Sequence, residues 1–390
     1  MTAAICKSMD SKGKKIDLGI VAMPLSKSGI TPLSNLIGVT YPTVGNICLI
    51  TGKEAYDHFK NDERIQTWDF YVRKPTYLAN NFAIRALRCI CLQIKASYRL
   101  ARVGSRADVW IFFLGADLLT LAVFTAKILG KKVLLLQAAN YMHSSIAESG
   151  FPKITSPLFK ASRLLSDRII LYSDLIEEWN LERYRKKIII AHRHFLNFSE
   201  FVFRDNLEQR NNLVGFVGRL EPQKAILNFV EAIPRTLAKR PDVNFLIIGE
   251  GKLEDDVSAL LDEYSLQNKV TRFRWIPHDE LPACLSSLKL LVLPSNHEGL
   301  PNIMLEAMAC GTPVLATAVD AIPDVITDRE TGFFLHENSP ASIAEGIVAT
   351  LSYPNLRQIV INARNLVESE FRYENVVKVW AAILCDNKEG

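Results

Sequence analysis

The chain has 390 residues, 48% of them hydrophobic and 23% charged, with a formal net charge of +4. That length is too great for one typical core and suits two domains. Its seven cysteines, Cys6, Cys48, Cys89, Cys91, Cys284, Cys310 and Cys385, have neither metal-ligand spacing nor an even framework, which excludes a disulfide scaffold and suits reduced thiols in the cytoplasm.

The small net charge hides an asymmetry. Residues 1–197 sum to +13 and residues 198–390 to −9, so the halves are expected to meet different partners. The opening MTAAICKSMDSKGKK is polar and basic, and no secretory leader is expected. Ile16 to Met23 reads as a first strand, followed by a loop and short helix holding Gly29 and Gly38. Asn46 to Thr51 is a second strand, closed by Gly52.

Tyr71 to Arg106 is strongly basic, with Arg73, Lys74, Arg85, Arg88, Lys95, Arg99, Arg102 and Arg106 and no acidic residue between Asp69 and Asp108. Phe82, Leu87, Ile90, Ile94 and Leu100 alternate with those charges as in an amphipathic helix. Such a helix suits an anionic membrane surface, and equally a solvated face beside a phosphate site. No stacking pattern or motif for nucleic acid accompanies the charge. Val109 to Leu129 is apolar enough to suggest a membrane span, but Asp117 and Lys127 interrupt it and Gly115 breaks it. It reads as a strand (Asp108 to Leu114), a turn and a helix from Leu118. Lys132 to Gln137, Arg168 to Tyr172 and Ile188 to Ala191 continue a parallel sheet covered on both faces. His192 and His194 lack a partner cluster and read as linker residues.

The second half opens with a strand at Leu213 to Val217, then GRLEPQK and a helix from Ala225 to about Lys239. Arg219 and Lys224 stand at a strand end and a helix start, where a planar fork and a point charge can reach one pyrophosphate. Val243 to Ile248 ends in Gly249-Glu250-Gly251, too short a glycine pattern for a dinucleotide fingerprint. Val270 to Ile276 is the next strand, and His278 belongs to a surface turn.

Leu290 to Leu293 is a short buried-strand run, Pro294 to Gly299 a turn-rich loop, and Pro301 to Cys310 a helix stopped by Gly311. Glu298 lies on the loop, Glu306 on the helix, and Asn302 and Glu306 share one helical face. A loop leaving a strand's carboxyl end for a helix start is where open α/β sheets bind ligands. Free amides there suit a phosphate, and the carboxylates suit hydroxyls. Physics alone reads the same unit as ordinary doubly wound scaffold. Pro340 to Asn387 reads as helices.

Taken whole, Lys289 to Thr317 resembles the signature of the retaining glycosyltransferases of family 4, through Pro294, Ser295, the Glu298 to Glu306 spacing, Gly299, Pro301, Leu305, Ala307, Ala309, Gly311, Pro313 and Val314. The resemblance implies an α/β GT-B fold, two Rossmann-like doubly wound parallel-sheet domains facing a central cleft. Residues 1–197 would form the acceptor domain, with a final helix at 372–390 packing back on it, and residues 198–371 the donor domain. Phe371, Arg372 and Tyr373 resemble the aromatic segment at that crossing. On this likeness Gly218, Arg219 and Lys224 hold the donor diphosphate. Gly299, Leu300, Pro301 and Asn302 line the donor, Glu298 faces its sugar, and Glu306 bonds the ribose. Trp275 and Ile276 would lie near the base, and Gly29 would face the cleft.

Four departures accompany the likeness, the first being that Gly29 stands alone where the family often has a glycine pair. Ala225 replaces the glycine usual after the lysine, and the interdomain Asn-Gly-Val-Asp turn is absent. Where many members have a histidine after a first-domain strand, this chain has Gln137, Ala138 and Ala139, so His143 or Asp117 would substitute. No Asp-x-Asp is present, which implies a family working without a bound metal or other cofactor. The implied activity is transfer of a sugar, with retention, from a UDP- or GDP-sugar to a lipid-linked or cell-surface glycan acceptor. The setting would be the cytoplasm, peripheral at the inner membrane face. A GT-B hydrolase, epimerase or phosphorylase, or a binding subunit without its own catalysis, stays open on the same residues.

Overall fold

The computed structural model describes residues 15–23, 27–70, 82–137, 152–172, 176 and 179–385. Two compact units divide the chain, residues 1–193 with 376–390, and residues 194–375. The first border lies a few residues before the expected 197 and the second a few after 371.

In the first unit, β1 (Leu18–Ala22), β2 (Ile47–Thr51), β3 (Ile65–Asp69), β4 (Val109–Phe113), β5 (Lys132–Gln137), β6 (Arg168–Leu171) and β7 (Ile188–Ile190) form one sheet. Its order is β3-β2-β1-β4-β5-β6-β7 and each pairing is parallel. LGIVA, ICLIT and VWIFF are buried throughout because helices cover both faces of a parallel sheet. Gly19 on β1 has no side chain because the Trp110 indole of β4 fills that space, and a Cβ there would lie 2.3 Å from the ring. The helices are α1 (Lys27–Thr40), α2 (Lys53–Phe59), α3 (Phe82–Val103), α4 (Thr120–Ile128) and α5 (Pro152–Leu165).

Val109 to Leu129 divides into β4, a left-handed turn at Gly115 and α4. Among the described residues no helix is long and apolar enough to cross a membrane. One expectation needs correcting. The loop assigned around Gly29 is already helical from Lys27, because only Pro32 interrupts an otherwise favourable run and it sits near the start.

The second unit's sheet holds β8 (Leu213–Val217), β9 (Asn244–Ile248), β10 (Val270–Phe273), β11 (Leu290–Leu293), β12 (Val314–Thr317) and β13 (Phe333–Leu335), in the order β10-β9-β8-β11-β12-β13 and again parallel. β10 stops at Phe273, short of the expected Ile276, since Pro277 follows close behind and turns the chain. The helices are α6 (Ile226–Lys239), α7 (Glu254–Glu263), α8 (Leu281–Ser287), α9 (Asn302–Ala309), α10 (Pro340–Leu351), α11 (Leu356–Phe371) and α12 (Tyr373–Cys385). Phe216, Phe229 and Phe245 pack ring on ring at 5.6 and 6.0 Å beneath α6. Truncating such a ring to alanine costs about 3–5 kcal/mol. On the other face, α9 buries Met304, Leu305, Ala307 and Met308 against Leu291, Leu293 and the α11 residues Ala363 and Val367.

From Val376 onward α12 belongs to the first unit. There the buried Trp380 donates its indole N–H to the His192 carbonyl at 3.0 Å.

Candidate functional site

The strand order of the second sheet reverses between β8 and β11, which lie side by side and parallel. Loops leaving the carboxyl ends of two such strands diverge and leave a crevice. The loop after β8 is fixed by its backbone. Gly218 donates to the Ile248 carbonyl at 2.9 Å and Leu220 to the Glu250 carbonyl at 3.0 Å. Leu220 is buried, so its neighbour Arg219 is turned outward and exposed. The Gly249-Glu250-Gly251 turn makes this approach feasible. A Cβ on Gly249, whose φ is +154°, would lie 1.8 Å from the Gly218 carbonyl oxygen, and one on Gly251 2.4 Å from that of Leu220. The glycine pair therefore braces the Gly218 to Leu220 loop, a role its spacing alone did not disclose.

A short turn at Pro222–Lys224 then leads into α6 through Ala225, held in the left-handed region at φ +49°, ψ +38°. The glycine usual in the resembled family suits that geometry without steric cost. This turn aims the Lys224 ammonium at the neighbouring loop, where it forms an ion pair with Glu298 Oε1.

The loop carrying Glu298 is held at three points. Ser295 Oγ donates to the same Oε1 at 2.9 Å, the Glu298 backbone N–H donates to Asp320 Oδ2 at 2.7 Å, and Asn296 N–H donates to the Gln223 carbonyl at 2.8 Å. The Glu298 and Lys224 side chains are only 9% and 19% exposed, so this pair is far better shielded than an ordinary surface bridge. Asp320 is the less obvious part. It comes from the loop after β12 and occupies a left-handed φ of +46° to reach that amide.

α9 begins with Pro301 as its N-cap, and Leu300 and Pro301 are buried beneath the loop while Gly299 and Asn302 face solvent. The helix therefore starts at Asn302, one residue after the expected Pro301. Met304 and Leu305 turn back to the Pro301 carbonyl, whereas the Asn302 and Ile303 amides have no acceptor among the described residues. Glu306 stands on the second turn, 9% exposed, and no described residue donates a hydrogen bond to its carboxyl. Burial first, and then repulsion from Glu200, push that carboxyl up to about 7.

The far end of α9 is closed by two arginines distant in sequence. Arg364 donates to the Ala309 carbonyl at 2.7 Å, and Arg210 to that of Cys310 at 3.3 Å. Arg210 also donates to Leu288 O at 2.8 Å, Thr312 Oγ1 at 2.9 Å, Arg204 O at 3.1 Å and Asn206 Oδ1 at 3.1 Å. Burial pushes its guanidinium down to about 10. Cations at a helix C-terminus satisfy the last carbonyls and oppose the dipole, and Gly311 completes the stop at φ +71°.

Gly218, Arg219, Lys224, Glu298, Gly299, Leu300, Pro301, Asn302 and Glu306 thus converge on one edge of one sheet. Trp275 and Ile276 follow β10 at that edge. Trp275 is 71% exposed, while Ile276 packs partly into the core beside α9. Gly29 and Asp117 belong to the first unit, Gly29 in the first turn of α1 and Asp117 just after β4. His143 lies outside the described residues.

Asp117 lies inside the first unit. It is 1% exposed, its Oδ2 accepts from Gln137 Nε2 at 2.6 Å, and its buried Oδ1 has no partner among the described residues. Gln137 Oε1 in turn accepts from Arg163 Nε at 3.2 Å. Burial raises the Asp117 carboxyl to about 6 against the opposing pull of Gln137 and Arg163.

Chemically, the second unit offers Arg219 and Lys224, with helix amides lacking acceptors and a carboxylate lacking donors among the described residues. That combination suits a phosphate-bearing ligand with neighbouring hydroxyls.

Residues 197–366 match the family model described as Glycosyl transferases group 1. Among curated proteins the chain is similar to the uncharacterized glycosyltransferase MJ1607 of Methanocaldococcus jannaschii, 27% identical over 213 residues, covering 54% of this chain and 52% of that one. It is also similar to the 2-deoxystreptamine glucosyltransferase of Streptomyces kanamyceticus, 30% identical over 142 residues, 36% of this chain and 37% of that one. The chain spans about half or less of the length of these relatives. Among solved structures it resembles Anabaena Alr3699/HepE in complex with UDP, with a TM-score of 0.73 at 14% identity over 95% of this chain and 99% of that one. That likeness establishes the fold, GT-B, built from two parallel-sheet α/β units.

Proposed function

We propose, taking residues 197–366 as a group 1 glycosyltransferase domain, that the chain transfers a sugar from a nucleoside-diphosphate donor to an acceptor. The observation that carries this reading is the buried Glu306 carboxyl without a donor, placed on α9 one turn beyond the unpaired Asn302 and Ile303 amides. A ribose supplies the missing hydroxyls, and the attached diphosphate reaches toward Arg219 and Lys224. Negative charge grows on that diphosphate as the glycosidic bond breaks, so both cations and the amides stabilise the transition state more than the ground state. Glu298, tied to Lys224 and Ser295, faces the sugar and orients it.

The finer reading is a retaining enzyme of family 4 using a UDP- or GDP-sugar, without a metal, on a lipid-linked or cell-surface glycan. The neighbour solved with UDP supports the uridine series.

Calorimetric titration with UDP, GDP and their sugar conjugates, beside Glu306→Ala, tests the reading. Saturable binding of one series, weakened in the variant, is the expected result. Folded protein that binds neither series would return the α9 unit to scaffold. Donor binding without turnover of any acceptor would make the chain a binding subunit, and an inverted anomer by NMR would remove retention.

A further inference from the structure

The outward side of α3 carries Ile84, Leu87, Ile90, Ile94 and Tyr98, each between 45% and 61% exposed. Leu87, Ile90 and Ile94 are on the face that periodicity assigned, whereas Leu100 is not. Leu100 is fully buried with Leu92 and Ala96, so Leu87, Ile90 and Ile94 form a second apolar stripe on the opposite side. Spacings of three and four residues align the stripe along the helix.

The neighbouring helix repeats the pattern. α4 packs along α3, buries Ala122, Val123 and Ala126, and exposes Leu121, Phe124 and Ile128 at 42%, 47% and 68%. Large apolar side chains exposed on two helices that pack together, with cations beside them, mark an interaction site.

Charge decides which partner fits. Neither α3 nor α4 contains an Asp or Glu, and α5, which packs along α4, has none either. Lys95, Arg99 and Arg102 border the α3 stripe along one flank. A second copy of the chain would set these cations against each other, and a nucleic acid would leave the apolar stripes uncovered. An anionic lipid surface satisfies both features.

We propose that the outward face of α3 and α4 docks on an anionic lipid bilayer, its two apolar stripes lying in the headgroup and acyl boundary and its basic flank on the headgroups. α3, at 22 residues, lies in the plane of the interface and does not cross it. As the setting of a transferase, the proposal rests on the reading above. As a lipid-binding surface it does not, and its test uses neither donor nor acceptor.

The test is cosedimentation of the full chain with vesicles of phosphatidylcholine alone or mixed with phosphatidylglycerol. Leu87→Glu/Ile94→Glu, Phe124→Glu/Ile128→Glu and Lys95→Glu/Arg102→Glu are run beside it. Binding is expected to the anionic vesicles alone, to weaken with salt, and to fall at least tenfold in each variant. Each cation near such a surface is worth roughly fivefold. All substituted positions are on the surface, and an unchanged circular dichroism spectrum and melting temperature would confirm folded protein. Equal binding to neutral vesicles, no binding, or an unaffected α4 variant would overturn the proposal. So would a dimer by ultracentrifugation that Phe124→Glu/Ile128→Glu dissolves, since the face would then join copies of the chain.

Discussion

Both sheets reverse their strand order once, between β1 and β4 in the first unit and between β8 and β11 in the second, and each places a buried carboxyl near that edge. The two carboxyls differ in their surroundings. Asp117 has a donor built in, Gln137, and a cation behind it, Arg163. Glu306 has no donor among the described residues and faces the like charge of Glu200. Equivalent topology therefore yields a nearly satisfied polar core in one unit and an open binding valence in the other.

The largest test of that contrast is the support behind α9. Arg210→Met would strip a donor from five oxygens, the Leu288, Arg204 and Cys310 carbonyls, the Thr312 hydroxyl and the Asn206 side-chain amide. The expected loss is about 3–5 kcal/mol, visible as a melting shift of about 10 °C in the second unit. A loss below about 1 kcal/mol would mean that α9 holds its place without that guanidinium.

Glu306 sharpens the contrast through pH. Ionised, it accepts from two hydroxyls and more strongly than the neutral acid does, so nucleotide affinity should rise as pH increases through about 7. In the free protein the sign is opposite. Its raised carboxyl lends stability at low pH that is lost between about 4.5 and 7, because the unfolded group ionises first. Glu306→Gln should flatten both profiles and weaken binding by about 0.5–3 kcal/mol. An unchanged affinity profile would detach Glu306 from the ligand.

Asp117 behaves by the same sign over a lower window, losing stability from about 4 to 6. Asp117→Asn should stabilise the protein by about 2 kcal/mol at pH 8 and leave it unchanged at pH 4. Denaturation at the two pH values measures this, and a destabilised variant at pH 8 would mean the ionised carboxylate is needed. The smallest effect is Ala225→Gly. Relief of left-handed strain, about 1–2 kcal/mol, is opposed by about 0.5–1 kcal/mol of chain entropy. The net gain is about 0.5 kcal/mol, and chemical denaturation showing a loss would mean the alanine methyl packs usefully.

Much of this was legible in the chain itself. The apolar runs at Leu213 to Val217 and Leu290 to Leu293 announce buried parallel strands, and the Glu298 to Glu306 spacing places one carboxylate on a loop and one on a helix. What stayed hidden depends on partners far apart in sequence. Nothing near Arg210 or Arg364 foretells that both will close the end of α9, and Asp320 reaches Glu298 only because β12 lies beside β11. The α3 periodicity announces an amphipathic helix, but only packing distinguishes Leu100, which is buried, from Ile94, which is exposed. Gln137 is legible as a departure from the resembled family, yet its bond to Asp117 depends on the pairing of β4 with β5.

The turn at Gly249 has a consequence for how this chain can drift. A base change that installs any side chain at codon 249 drives its first carbon into the Gly218 carbonyl, 1.8 Å away, and codon 251 meets the Leu220 carbonyl in the same way. Codon 250 lies between them and encodes an exposed glutamate. Neutral variation should therefore alternate closed, open, closed over three adjacent codons, and a saturation library selected for folded protein would recover that rhythm without reference to any ligand.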